Sequence, residues 1–269
     1  MMQEYKYESE LVKQELFNDK RLSKRKMFDS RDISIELNTL QNANGSAILT
    51  LGKTKVVAGI KIMPETPYPD TPDEGSISVG IELSPMSDPN FGSGPPSEDS
   101  IELSRVVDRS IRESKGLDFK KLCIKEGEKI WCVYIDIYII NNDGNLFDAC
   151  ELCALAALKC AKIPKLDDEF KVVKEEYDGH LELLKNPILF TFAKIGDKIV
   201  LDPDLIEECA SDARFSVAIT EDKNLVAIQK GLHGAFKIDE VKNMASTAIK
   251  NYDDVFLKFN KILKSKSAH

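Results

Sequence analysis

Gly45-Ser46-Ala47-Ile48-Leu49-Thr50-Leu51, then Gly52-Lys53, then Thr54-Lys55-Val56-Val57-Ala58-Gly59-Ile60-Lys61-Ile62 is the stretch whose reading decides the fold. Two β-prone runs flank a two-residue connection that contains glycine, which predicts an antiparallel hairpin. Upstream, Ile33-Ser34-Ile35-Glu36-Leu37 alternates apolar and polar residues as a half-buried strand does. Downstream, a proline-rich loop from Pro64 to Pro72 leads into another alternating run, Ser76 to Leu83.

Working outward, Leu122-Cys123-Ile124 and the stretch Ile130 to Ile140 read as strands, the second long and apolar enough to be central. Turn residues Asn141-Asn142-Asp143-Gly144-Asn145 end it. Leu146 to Ala161 then predicts a helix apolar nearly all round, hence buried. The charged segment Pro164 to His180 marks the internal boundary. Beyond it, Ile188–Ala193, Lys198–Leu201, Arg214–Ile219 and Leu225–Gln229 suggest a second sheet, closed by an amphipathic helix from Ile238 to about Leu263. Strands followed by helices in each half indicate an α+β protein with two similar sheet-and-helix layers.

At the other end, residues 7 to 20 read as a short amphipathic helix with Leu11 and Phe17 on one side. The basic connector Lys20-Arg21-Leu22-Ser23-Lys24-Arg25-Lys26 reads as a solvated linker in preference to an RNA-contacting arm.

One helix carries an unusual charge pattern. In Glu102-Leu103-Ser104-Arg105-Val106-Val107-Asp108-Arg109-Ser110-Ile111-Arg112-Glu113-Ser114, a turn of roughly 100° per residue puts Arg105, Arg109 and Arg112 within about 60° of one another. Leu103, Val106, Val107, Ser110, Ser114 and Leu117 cover the opposite side. Ser97-Glu98-Asp99-Ser100 supplies caps for the start, and Lys115-Gly116 a stop. The arginine line can hold an anion; the plain alternative is a solvated face whose arginines pair with Glu102, Asp108 and Glu113.

Composition narrows the classes. With 269 residues, 42% hydrophobic and 30% charged, the chain can bury a sizeable core in one large domain or two modest ones. No apolar run reaches about 18 residues and the start, Met1 to Lys6, lacks a signal-peptide core, so a cytoplasmic protein without membrane contact is expected. A net charge of −8 argues against coating nucleic acid with the whole surface, while leaving room for a local basic site. The six cysteines sit in apolar or helical surroundings; Cys150-x-x-Cys153 has no second pair at zinc spacing, and buried thiols are expected. His180, His233 and His269 adjoin no nucleophile motif and read as exposed or structural. No phosphate loop is present, since Gly92-Ser93-Gly94 lacks the Lys or third Gly.

The order of segments resembles a family. Asp29-Ser30-Arg31, the hairpin 45–59, the helix Ile101 to Ser114 and Asp202-Pro203-Asp204 look like RNase PH-type proteins over roughly residues 22 to 260. Within that family, Gly94-Pro95-Pro96 followed by Glu102 to Arg109 is similar to the non-catalytic ring subunit of the archaeal exosome. The resemblance implies a duplicated β-α sheet-and-helix unit of the ribosomal protein S5 domain 2-like kind. Its boundaries here would be an N-terminal helix at 1–21, an RNase PH-like N-terminal half at 22–165 and a C-terminal half at 166–269 ending in a long helix. It also implies a six-membered ring, three copies of this chain alternating with three of a catalytic RNase PH-like subunit, with RNA and RNA-binding cap subunits as further partners. Family members carry Asp-Gly-Arg where this chain has Asp29-Ser30-Arg31, and serine tolerates positive φ less well than glycine.

The same resemblance speaks to catalysis. Phosphorolysis brings phosphate against an RNA phosphodiester, so two anions must be held together by cationic or hydroxyl donors beside a carboxylate. Active relatives use a Gly-Thr/Ser-Arg motif between the long strand and the buried helix, where this chain has Asp143-Gly144-Asn145-Leu146. Leu146 donates nothing, and Asp143 repels phosphate. Relatives also place two aspartates six positions apart; here Asp202 is matched by Glu208, and Asp202, Asp204, Glu207 and Glu208 are more simply a turn and a helix start. No catalytic, metal-ligating or cofactor-binding residue is therefore assigned. Arg105 and Arg109, with Arg112 as a weaker third, are expected to contact RNA phosphates and hold a 3′ end for the neighbouring subunit, without reading bases. The alternatives are an active phosphate-dependent 3′–5′ exoribonuclease using Asp202 and Glu208, or a purely structural ring member.

Overall fold

The hairpin forms as the sequence dictates, in a computed structural model that describes residues 5–266; His269 and the first four residues of the N-terminal segment lie outside them. Helix α1 (Lys6–Phe17) precedes strands β1 (Ile33–Leu37), β2 (Gly45–Leu51), β3 (Thr54–Glu65) and β4 (Ser76–Glu82), and helix α2 (Glu98–Glu113). Then come β5 (Cys123–Lys125), β6 (Lys129–Asn141), α3 (Leu146–Lys159), and the hairpin β7 (Lys162–Leu166) and β8 (Val172–His180). The chain closes with β9 (Ile188–Ile195), β10 (Lys198–Leu201), α4 (Leu205–Cys209), β11 (Ala213–Ile219), β12 (Leu225–Gly231) and α5 (Ile238–Lys266).

The first sheet runs β1-β2-β3-β6-β4, with β5 on β6 and only β4 parallel to its neighbour. The second runs β10-β9-β11-β12 and is antiparallel throughout. Helix α3 packs against strands of both sheets, which is why its sequence is apolar on every side. Its Ala149, Cys150, Cys153, Ala154, Ala156 and Ala157 are fully buried, and their small size lets backbones approach closely. One hydrophobic core runs continuously from Ile35 through α3 to Phe259.

Two expectations need correction. Strand β3 continues through Pro64 to Glu65, so the proline-rich loop begins later. In α1 the buried residues are Val12 and Leu16, whereas Phe17 is 82% exposed, because the helix turns a neighbouring stripe toward Ala193, Val200 and Ala210. The charged segment after α3 is itself a hairpin, β7–β8. Ser30 stays out of the left-handed region, so the turn at Asp29-Ser30-Arg31 does not require the family glycine.

Candidate functional site

Helix α2 is placed by its polar groups as much as by its apolar stripe. Ser97 caps the start by accepting from the Ser100 amide at 3.2 Å, and Lys115, at φ +54°, ends the helix in the left-handed conformation. The buried residues are Ser100, Leu103, Val106, Val107, Ser110 and Ile111. Strand β4 pairs only with β6, and α2 lies along its open edge. There the Ser100 hydroxyl donates to the Ile81 carbonyl and Arg112 Nη2 to the Ile77 carbonyl (3.2 Å), satisfying an edge that otherwise invites aggregation. The Ser110 hydroxyl donates to Glu151 Oε1 at 2.6 Å and ties α2 to α3.

This packing leaves the three arginines unequal. Arg112 pairs with Asp108 at 2.9 Å and lies over the Phe119 ring, so much of its donor capacity is engaged. Glu102 turns away toward the second sheet, where it meets Arg214 (2.7 Å) and accepts from Gln229 (2.9 Å). Arg105 and Arg109 are exposed and have no ion-pair partner among the described residues. Two like charges one helical turn apart repel one another, and an anion between them relieves that repulsion.

At the Asp143-to-Leu146 stretch a carboxylate site is closed by the chain itself. Gly144 adopts φ +82°, and a Cβ there would stand 2.5 Å from the backbone of Asp204 and Leu205. Asn145, at φ +54°, caps α3 and joins the two halves: its amide donates to Glu208 Oε1 (2.8 Å) and its side chain to Asp202 Oδ1 (2.7 Å). Asp202, 1% exposed, also accepts from Arg31 Nη2 (2.7 Å), the Arg31 amide (2.7 Å) and Arg25 Nη1 (3.0 Å). Burial pushes its carboxyl up, but Arg31 and Asn145 outweigh that and hold it below the usual range. Glu208 has fewer cationic neighbours, and burial pushes it up to about 7 despite the Asn145 amide and Arg214. Arg31 spends its remaining donors on the carbonyls of Asp143 (2.8 Å) and Gly144 (3.1 Å).

The connector is the chief surprise. Arg21 is buried and grips Glu207 (Nε to Oε1, 2.7 Å) and the Leu201 carbonyl (2.9 Å), and Arg25 follows onto Asp202, so these two are not solvated linker residues, whereas Lys20, Leu22, Ser23, Lys24 and Lys26 stay exposed as expected. Their carboxylate partners lie some 180 positions later, and no local pattern announces such a pairing. Glu207 meanwhile forms a capping box with Asp204, as the reading of a turn and helix start expected. His180 and His233 are exposed, and Cys153 is buried with its thiol on the Ala47 carbonyl.

Models of the 3′ exoribonuclease family match the chain, domain 1 over residues 29–164 and domain 2 over 185–251. Exosome complex component Rrp42 of Methanothermobacter thermautotrophicus is 44% identical over 234 residues, covering 86% of each chain. That of Methanopyrus kandleri is 41% identical over 238 residues, 87% of this chain and 89% of its own. A chain of the Archaeoglobus fulgidus exosome with RNA bound to the active site superposes with a TM-score of 0.89 at 38% identity, covering 95% of this chain and 98% of its own. Rice Rrp46, at 17% identity and a TM-score of 0.70, shares the fold.

Proposed function

This chain belongs to the RNase PH-type 3′ exoribonuclease family, and from that premise we propose that it is a non-catalytic ring subunit of an archaeal exosome that positions RNA for a catalytic neighbour. The observation that carries this reading is the contrast between its two cationic sites. Arg105 and Arg109 stand exposed on α2 with no ion-pair partner among the described residues, while Arg25 and Arg31 are consumed by Asp202. By the family resemblance Leu146 stands where active relatives place an arginine, and the neighbouring Arg31 is already held by Asp202 and by the carbonyls of Asp143 and Gly144. Phosphorolysis then has to take place on the adjacent subunit, three of which alternate with three copies of this chain. RNA-binding caps complete the particle in the cytoplasm.

Arg105 and Arg109 contact phosphates in this scheme; Arg112 joins them only by giving up part of its bond to Asp108. Contacts of this kind hold a strand in register without reading sequence. The test is reconstitution with the catalytic subunit, followed by RNA retention and phosphate-dependent release of nucleoside diphosphates from oligo(A). Arg105→Ala/Arg109→Ala rings should assemble, bind RNA more weakly and lose about 1.4 from the slope of log affinity against log salt, since each single-strand phosphate contact contributes roughly 0.7. Appreciable turnover by the isolated chain, or failure of the double variant to assemble, would sink the proposal in favour of an active enzyme or a structural subunit respectively.

A further inference from the structure

Beside the closed carboxylate site lies a cavity of about 190 Å³, walled by Leu83, Phe91, Leu146 and Leu205 and opening between α2, α4 and β11. It exceeds the roughly 150 Å³ that accommodates benzene in an engineered core, so a substituted six-membered ring fits. Its polar groups are built in. Arg214 is the cavity's arginine, 16% exposed, with its guanidinium 4.0 Å from the Phe147 ring centre on one side. On the other it lies over Gly231, where a Cβ would stand 2.4 Å from Nη2. Its Nη2 is 2.7 Å from Glu102 yet not aligned for a hydrogen bond, and Nε and Nη2 are buried without an acceptor. Asp88, Asp99, Glu102 and Glu208 also line the space.

The charge balance selects the ligand. With Glu102 already on the guanidinium and Glu208 titrating at about 7, Asp88 and Asp99 still leave the lining net negative, which repels phosphate and carboxylate ligands. Unmatched arginine donors disfavour a bare cation, which offers no acceptor. Apolar walls with an arginine and carboxylates in the same lining suit a flat, uncharged heterocycle that both gives and takes hydrogen bonds. We propose that this cavity is a binding site for an amino-substituted nucleobase, free or as its nucleoside, held between the leucine walls with its ring nitrogen toward Arg214 and its amino group toward the carboxylates. This does not rest on the RNA-positioning role: base binding is read on the isolated chain, and that role on the mixed ring.

Isothermal titration and saturation-transfer NMR on the full chain test it, with adenine, adenosine, adenosine 5′-monophosphate, inorganic phosphate and 1,4-diaminobutane as probes. Adenine and adenosine should bind saturably, the monophosphate about tenfold more weakly or worse, and phosphate and the diamine not at all. Leu83→Trp fills the cavity from its wall and should abolish base binding while the thermal transition is retained; Leu205→Phe serves the same purpose should the first variant not fold. Arg214→Lys should weaken base binding by about tenfold by removing the planar fork. Binding of the base that survives a folded cavity-filling variant overturns the proposal, as does preference for phosphate or diamine, or no saturable binding of either base.

Discussion

Glu151→Gln offers a sharp test of how the arginine helix is anchored. Glu151 is fully buried on α3, accepts from the Ser110 hydroxyl of α2 at 2.6 Å, and leaves Oε2 without a partner. Burial pushes its carboxyl up to about 8; Ser110 pulls it back and Asp148 adds to the rise. In the unfolded chain the same group ionises near pH 4.3. Its folded pKa is therefore the higher, and folding takes up a proton across that interval. The contribution is complete below about pH 4.3 and is lost as pH rises through about 8. At 1.36 kcal/mol per pH unit, the wild type should lose about 2.5 kcal/mol from this group between pH 5.5 and 7.5. Glutamine keeps the shape and the acceptor for Ser110 but cannot ionise. Urea unfolding followed by fluorescence of Trp131 at several pH values in this range reads the difference. The variant should gain on wild type by about 2.5 kcal/mol between pH 5.5 and 7.5, its stability slope being shallower by roughly 1.4 kcal/mol per pH unit. Equal slopes in the two proteins would refute the reasoning, because Glu151 would then not enter the fold as a neutral acid.

Arg31→Met strips Asp202 of three hydrogen bonds donated by the guanidinium and should destabilise the chain by on the order of 3–5 kcal/mol in urea, the cost of an uncompensated buried charge; retention of the backbone donor puts the expectation at the low end. Because Asp202 is held below the usual carboxylate range, its contribution is present above about pH 4 and lost as pH falls through that depressed value, so acid should narrow the gap between wild type and Arg31→Met. Gly144→Ala should cost on the order of 2–4 kcal/mol, since its left-handed backbone and the 2.5 Å approach of Asp204 leave no room for a Cβ; a shift in melting temperature checks this. Arg112→Ala should lower RNA retention by mixed rings less than Arg105→Ala does, filter binding at low salt being the assay, because Arg112 is already committed to Asp108 and the Ile77 carbonyl.

What could be read from the chain was whatever depends on neighbours in sequence. Alternation along 33–37 and 45–62, the Gly52-Lys53 turn and the capped stripe of α2 are local signals, and each element appears within a few residues of its expected place. The all-round apolar run 146–161 announced a buried helix, and α3 is the layer between the sheets. The sequence also displayed three arginines on one face, but their charges alone did not separate Arg112, engaged with Asp108, from the free pair Arg105 and Arg109. That distinction needed to know that Glu102 turns toward Arg214 across the sheet boundary.

The connector shows the limit most plainly. Arg21 and Arg25 look in sequence like any solvated basic run. Arg21 becomes a buried structural cation and Arg25 a partly buried one because folding brings Asp202 and Glu207 against them from some 180 positions away. Periodicity is a property of a helix or a strand and is written into consecutive residues. Charge pairing depends on which distant groups share a low-dielectric interior, and that is decided only when the two sheets close around α3.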